Sequence, residues 1–256
     1  MTETLSNSPR NCLLVTCHPL ADSLCHHLAD RVKQGFEGPD LGENGIEIEH
    51  LDLYAAGFKA PLTADERRSY FEGDFDATAL GAEIAVLQRA EILILVFPTW
   101  WFGMPALLKG WFDRVWGPGV AFEHPAEPGG RITPRLTGLR HCLVVTTLGS
   151  PWWFDRLILR RPLRRILKTA LVGVCAPNAN FDMLSLHAAM ALDQPRLDRF
   201  LGRVDGAVGR PCGGHPLPSR LLPTDQAKSD FVVTEARGRP RAPWGAHAAP
   251  QAPAGR

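Results

Sequence analysis

The chain has 256 residues, with 28 Lys and Arg against 27 Asp and Glu for a formal net charge of +1, and 45% of its residues are hydrophobic. That length suits one large domain, or a domain with a tail, and is ample for a sizeable core. Near-neutral charge removes the electrostatic case for nucleic acid. The start "MTETLSNSPRN" has no apolar signal core and no apolar run reaches about 18 residues, so a cytoplasmic protein with no membrane span is expected.

Short apolar runs alternate with helical patterns along the chain. "CLLVTC" (12–17) predicts a strand and 22–36 a helix; "IEIEHLDL" (46–53) alternates like a strand, and 78–90 has helical spacing. "EILILVF" (91–97) predicts a buried strand, 105–116 a helix, "HCLVVTT" (141–147) a strand, 152–170 a basic helix, "LVGVCAPNANF" (171–181) a last strand, and 190–203 a helix. Continuous apolar strands interleaved with helices mean a parallel sheet buried on both faces. Right-handed crossovers then make it an α/β doubly wound five-stranded sheet of order 2-1-3-4-5, the flavodoxin-like arrangement.

Six cysteines, Cys12, Cys17, Cys25, Cys142, Cys175 and Cys212, form no CxxC pair. They read as reduced, buried thiols in strands, with zinc or a disulfide as the alternative and no metal site expected. From about residue 205 the composition changes: residues 205–256 hold 8 Pro and 7 Gly in 52 positions. A domain over 10–204 and a Pro/Gly/Ala/Arg-rich disordered tail over 205–256 are expected, with a docking tail for a partner, or the product of a shifted reading frame, as the alternatives.

In a doubly wound sheet the ligand lies beyond the carboxyl ends of the strands, at the switch point between the first and third. The turns after strands 1, 3 and 4 meet there: "CHPLADSLCHHLAD", "FPTWWFGMPALLKG" and "TTLGSPWWFDR". In the first, His18, Pro19, Asp22 and Ser23 precede a helix whose free N–H groups and dipole suit a phosphate; a plain helix cap by Asp22 or Ser23 is the equal alternative. Neither GxGxxG nor GxxxxGK[ST] occurs, which tells against nicotinamide-first Rossmann and P-loop sites. In the second, Pro98 ends the strand, Thr99, Trp100, Trp101, Phe102 and Gly103 form a loop, and Pro105 starts a helix. Rings at 100–102 can flank a flat heterocycle, and Gly103 lets backbone approach it; core packing is the alternative for Trp101 and Phe102. Trp111, Phe112 and Trp116 have helical spacing and read as core or subunit interface. In the third, Thr147, Leu148 and Gly149 offer backbone donors to the same crevice. Arg156, Arg160, Arg164 and Lys168 make one cationic stripe, with Pro162 expected to kink or split the helix. A solvated face, a site for the phosphate of NADPH, or a partner or membrane surface are its readings.

"FPTWWFGMPALLKGWFDRVW" (97–116), together with "HPLADSL" (18–24), resembles the NAD(P)H:quinone oxidoreductases of flavodoxin-like fold, including the bacterial potassium-efflux ancillary and modulator-of-drug-activity types, over roughly residues 10–204. The resemblance implies a flavin, FAD by preference or FMN, with NAD(P)H as co-substrate. Its phosphates would meet His18, Ser23 and Leu24. Pro98, Thr99, Trp100, Trp101, Phe102 and Gly103 would border the ring, and Thr147 and Gly149 would close the other side. It further implies two-electron, ping-pong hydride transfer to a quinone and a homodimer with the site at the subunit boundary. A redox-sensing ancillary subunit of a membrane potassium-efflux transporter and an FMN reductase or azoreductase are the alternative readings. The loop "GSPWWFDRLILR" lacks the Tyr and His that animal members carry there, so no catalytic residue is assigned.

Overall fold

The computed structural model describes residues 10–36, 45–72, 75, 78–125, 127 and 130–209. Five strands form one sheet: β1 (Arg10–Thr16), β2 (Ile46–Asp52), β3 (Ile92–Pro98), β4 (His141–Thr147) and β5 (Asn180–Leu186). All pairings are parallel and the order is 2-1-3-4-5, as expected. In β3 every residue is buried, which is why its sequence is an unbroken apolar run rather than an alternating one.

Alternate side chains leave the sheet on opposite faces and nucleate two cores. On one, Cys12, Leu14, Ile94, Val96 and Val145 pack against α1 (Leu24–Gly35) and α6 (Gln194–Val208). On the other, Leu13, Val15, Leu93, Leu95, Phe97 and Val144 pack against α3 (Gly81–Arg89), α4 (Ala106–Val115) and a helix over 162–175, called α5. Trp111, Phe112 and Trp116 are core, stacked edge to face with centroids 5.0 to 6.3 Å apart. The five described cysteines are buried and unbridged; Cys25 lies in α1 and Cys175 in α5, not in strands. Burial pushes the Cys17 and Cys142 thiols up to about 12 and that of Cys175 to about 11.

Other details refine the sequence reading. The last strand is "NFDMLSL", because 171–175 continue α5 and bury Val172 and Cys175 on the sheet. The 152–170 helix is split at Pro162, one of the two outcomes expected there: 154–158 make one wide turn, Arg160 and Arg161 take left-handed backbone (φ 56° and 54°), and Pro162 opens α5. The cationic stripe is therefore not one helix face. A further helix, α2 (Ala64–Glu72), follows Thr63, whose Oγ1 caps the Glu66 amide while the Glu66 carboxylate accepts from the Thr63 amide at 2.7 Å. "TADE" is thus a capping box, a signal that was present in the sequence. Finally, α6 runs on to Val208, past the expected end of the domain, and buries Ala207 and Val208. Residues 210–256, with Cys212 and nearly all of the expected tail, lie outside the described residues.

Candidate functional site

The chain turns one way from β1 to β2 and the other way to β3, so the crevice lies beyond the carboxyl ends of β1 and β3. The three predicted turns meet there. The His18 ring, from the loop after β1, lies 6.4 Å from that of Trp100 after β3, and Phe102 lies 5.5 Å from Phe154 after β4. Thr99 joins β3 to β4 twice: its amide donates to the Thr147 carbonyl at 2.8 Å, and its hydroxyl lies 2.8 Å from that of Thr146.

The turn after β3 is unusual. Trp100 and Gly103 pair through both backbone bonds (3.2 and 3.0 Å), and the two residues between them, Trp101 and Phe102, both have positive φ, 51° and 58°. This is the φ pattern of a type I′ turn, which ordinarily takes Asn and Gly because larger side chains are strained there. Core packing does not repay the strain at Trp101, which is 98% exposed. Among the described residues the amides of Trp101 and Phe102 make no backbone hydrogen bond. Strain of this kind persists at ligand clamps. Gly103 is outside the left-handed region, and a Cβ built on it meets only the Trp100 carbonyl, at 3.7 Å. Nothing among the described residues demands glycine there.

The turn after β1 leads into α1, with Ser23 as N-cap: its hydroxyl accepts from the His26 amide at 3.3 Å. The Leu24 amide has no partner among the described residues, and the His18 Nδ1 accepts from the Leu20 amide at 3.1 Å. Ser23 is also tied to a pair that the sequence did not suggest. Its Oγ lies 2.9 Å from His26 Nδ1, and His26 Nε2 lies 2.8 Å from Asp52 Oδ2, at the carboxyl end of β2. Burial raises the Asp52 carboxyl, but bonds from His26 and from the Ala55 and Tyr54 amides outweigh it and hold the group below the usual carboxylate range. Asp52 was findable in principle, since a strand beside β1 must end at this crevice.

In the third turn Thr147 is half-buried and Gly149 exposed, its nearest approach being Met190 Cγ, 3.8 Å from a built Cβ. The loop has no His of its own, but His187, following β5, reaches Asp155 in it at 3.1 Å with both side chains 10% exposed. No local signal links residues 32 apart; only the β4–β5 pairing brings them together. Burial and the neighbouring Arg156 and Arg164 charges lower the Arg161 pKa, partly offset by Asp155. The exposed Trp100, Trp101, Trp152, Trp153, Leu157 and Ile158 gather in the second and third turns. A cavity of about 680 Å³ lies at the opposite end of the strands, lined by residues such as Ile92, His141 and Asn180, away from these turns. Among the described residues no group of three or more His, Cys, Asp or Glu is placed to hold a metal, and no helix is long and apolar enough to cross a membrane.

Fold and site together define a flavodoxin-like α/β protein whose switch-point crevice is bordered by the start of α1 and by aromatic side chains of the turns after β3 and β4. The chain belongs to the family described as having the flavodoxin-like fold, whose model matches residues 10–175. It is 34% identical over 110 residues, 43% of this chain and 54% of the relative, to an uncharacterized NAD(P)H oxidoreductase, YcaK, of Escherichia coli. It is 31% identical over 138 residues, 54% of this chain and 59% of the relative, to an FMN-dependent NADH:quinone oxidoreductase of Cereibacter sphaeroides. The chain thus spans little more than half the length of these curated relatives. Among solved structures, an NAD(P)H:quinone oxidoreductase from Methanothermobacter marburgensis superposes with a TM-score of 0.65 at 23% identity, covering 81% of this chain and 99% of that one, which shows the shared fold.

Proposed function

We propose that this chain is a flavin-dependent NAD(P)H dehydrogenase that reduces quinones by two electrons. The carrying observation is the strained Trp100–Gly103 turn, which leaves two amides and exposed rings at the switch-point crevice. The residues present fit a flavin nucleotide. Ser23, Leu24 and His18 at the start of α1 would hold the phosphate, as helix N-termini do. Pro98, Thr99, Trp100, Trp101, Phe102 and Gly103 would bed the ring, and Thr147 and Gly149 would close its far side. When bound, a flavin supplies the hydride chemistry between NAD(P)H and a quinone. This chain's part is to position the group: aromatic side chains exclude water from one face, and the turn amides meet the polar edge.

The printed names of the relatives, NAD(P)H oxidoreductase and FMN-dependent NADH:quinone oxidoreductase, support the activity. FAD and FMN share the phosphate and the ring, so the same residues serve either. The exposed apolar side chains of the second and third turns support a homodimer that covers the crevice, since a large apolar patch marks an interaction surface. Purification followed by release of the chromophore and its identification by mass tests the reading, with NAD(P)H oxidation by a quinone as the activity. A colourless protein that binds neither FMN nor FAD would overturn it.

A further inference from the structure

Ser23, His26 and Asp52 come from a helix cap, a helix first turn and the end of β2, and their polar atoms form one chain: Ser23 Oγ to His26 Nδ1 at 2.9 Å, then His26 Nε2 to Asp52 Oδ2 at 2.8 Å. The protons in it can be counted. An ionised carboxylate only accepts, so the proton at the second contact is on Nε2. That makes His26 either the neutral Nε2–H tautomer or the imidazolium. One proton lies between Nδ1 and Oγ at the first contact. In the neutral ring Nδ1 has only a lone pair, and the serine hydroxyl must supply that proton. The hydroxyl then has nothing to donate elsewhere, and one of its lone pairs already accepts from the His26 amide at 3.3 Å. In the imidazolium, Nδ1–H donates to Oγ and the serine proton is released for another acceptor.

A phosphate oxygen is such an acceptor and offers no proton of its own when fully ionised. We propose that His26 is a positioning residue of the phosphate turn: a phosphate bound at Ser23 is matched by a proton taken up on His26 Nδ1, because only the imidazolium frees the serine hydroxyl to donate. The inference rests on the phosphate reading of this turn given above. Proton uptake also places a positive charge within one side chain of the phosphate, and Asp52 stabilises it. Among the described residues, His18 lies edge-on to His26 with ring centroids 6.4 Å apart, and His50 of β2 interacts electrostatically with His26 as well as with Asp52, Asp30 and Lys33. His50 stays out of the chain, its Nε2 lying 2.9 Å from the Thr16 hydroxyl. Burial, with the Lys33 charge, keeps its pKa low and so favours the neutral ring.

The test uses FMN and riboflavin, which differ by the phosphate alone, with dissociation constants read from flavin fluorescence between about pH 7 and about pH 9. The second ionisation of a phosphate monoester, near about 6, is then complete and adds no slope. The wild-type chain should lose FMN affinity as pH rises, approaching about tenfold per pH unit, while riboflavin affinity stays level. Titration calorimetry in two buffers of different ionisation heat should show about one proton taken up per FMN. His26→Asn should abolish both the slope and the uptake, and Asp52→Asn should move the fall to lower pH. Nitrogen NMR of the His26 ring in wild-type protein reads the Nδ1 proton without any substitution. FMN binding with no proton uptake, or uptake that persists in His26→Asn, would overturn the inference and leave the flavin reading intact. Failure of FMN to bind at any pH would overturn the flavin reading, and this inference with it.

Discussion

The Arg114 guanidinium grips Glu66 from 48 residues away, Nε lying 3.0 Å from Oε1 and 3.1 Å from Oε2, with both side chains 8% exposed. Arg114 belongs to the "KGWFDRV" stretch and also donates to the Lys59 carbonyl, with its guanidinium 5.5 Å from the centre of the Phe58 ring. This stretch of the recognition motif is thus an anchor for α2 and the 58–60 segment.

Removing Arg114 should strand a buried carboxylate. Arg114→Met is expected to cost about 3–5 kcal/mol of unfolding free energy, the usual toll for breaking one side of a buried pair. The pH dependence follows from Glu66. Burial pushes its carboxyl up, but bonds and charge from Arg114 and bonds from Thr63 outweigh this, so it sits below the ordinary carboxylate range. Its contribution is therefore present above the unfolded-state value and disappears as pH falls through the folded one. Urea midpoints in mild acid should drop less steeply for Glu66→Gln than for wild type.

Two glycines of the motif should fail in opposite ways. A Cβ on Gly110 would meet the Ala60 carbonyl oxygen at 2.3 Å and its Cα at 2.5 Å, both backbone, so Gly110→Ala should lose about 1–3 kcal/mol or more. Gly103 has room for a methyl group, so Gly103→Ala should keep wild-type stability to within about 1 kcal/mol while weakening flavin binding. Undiminished flavin affinity in Gly103→Ala would mean that the ring is not bedded on this turn.

Ser23 serves as a helix cap whether or not a phosphate binds. Ser23→Ala should cost about 1 kcal/mol of stability through the lost cap. It should also lower FMN affinity by about tenfold or more, since a bond to a charged group is worth about 1.5–3 kcal/mol. Riboflavin, which has no phosphate, is the control. Equal losses for both flavins would leave the cap as the whole role of the residue.

The end of α6 sets where the chain can be cut. Arg31 of α1 holds Asp205 by a bidentate pair at 2.8 and 2.7 Å, and Ala207 and Val208 are buried beyond it. A chain ended after Gly209 should unfold at the same temperature as the full chain and bind flavin equally well. One ended after Val204 should be destabilised by about 3–5 kcal/mol or fail to fold. Thermal melts of the two side by side decide the matter.

The sheet and its order were legible in the sequence because a doubly buried parallel strand must be an unbroken apolar run, and "ILILV" and "CLLV" are such runs. The three turns were legible for the same reason: once the strands are placed, their carboxyl ends lie together. The missed helix at 64–72 had its own signal in "TADE". What the sequence could not decide was which polar groups meet. His26 and Asp52 are joined by the pairing of β1 with β2, His187 and Asp155 by that of β4 with β5, and Arg114 and Glu66 by side chains that reach between α4 and α2. Nor could it decide the backbone of Trp101 and Phe102, because left-handed conformations at aromatic residues oppose local preference and go with the Trp100–Gly103 backbone pairing that closes the turn. Local propensity records what each segment favours alone. Proton sharing, buried charge pairing and imposed strain depend on distances between segments, and the packed sheet alone sets those.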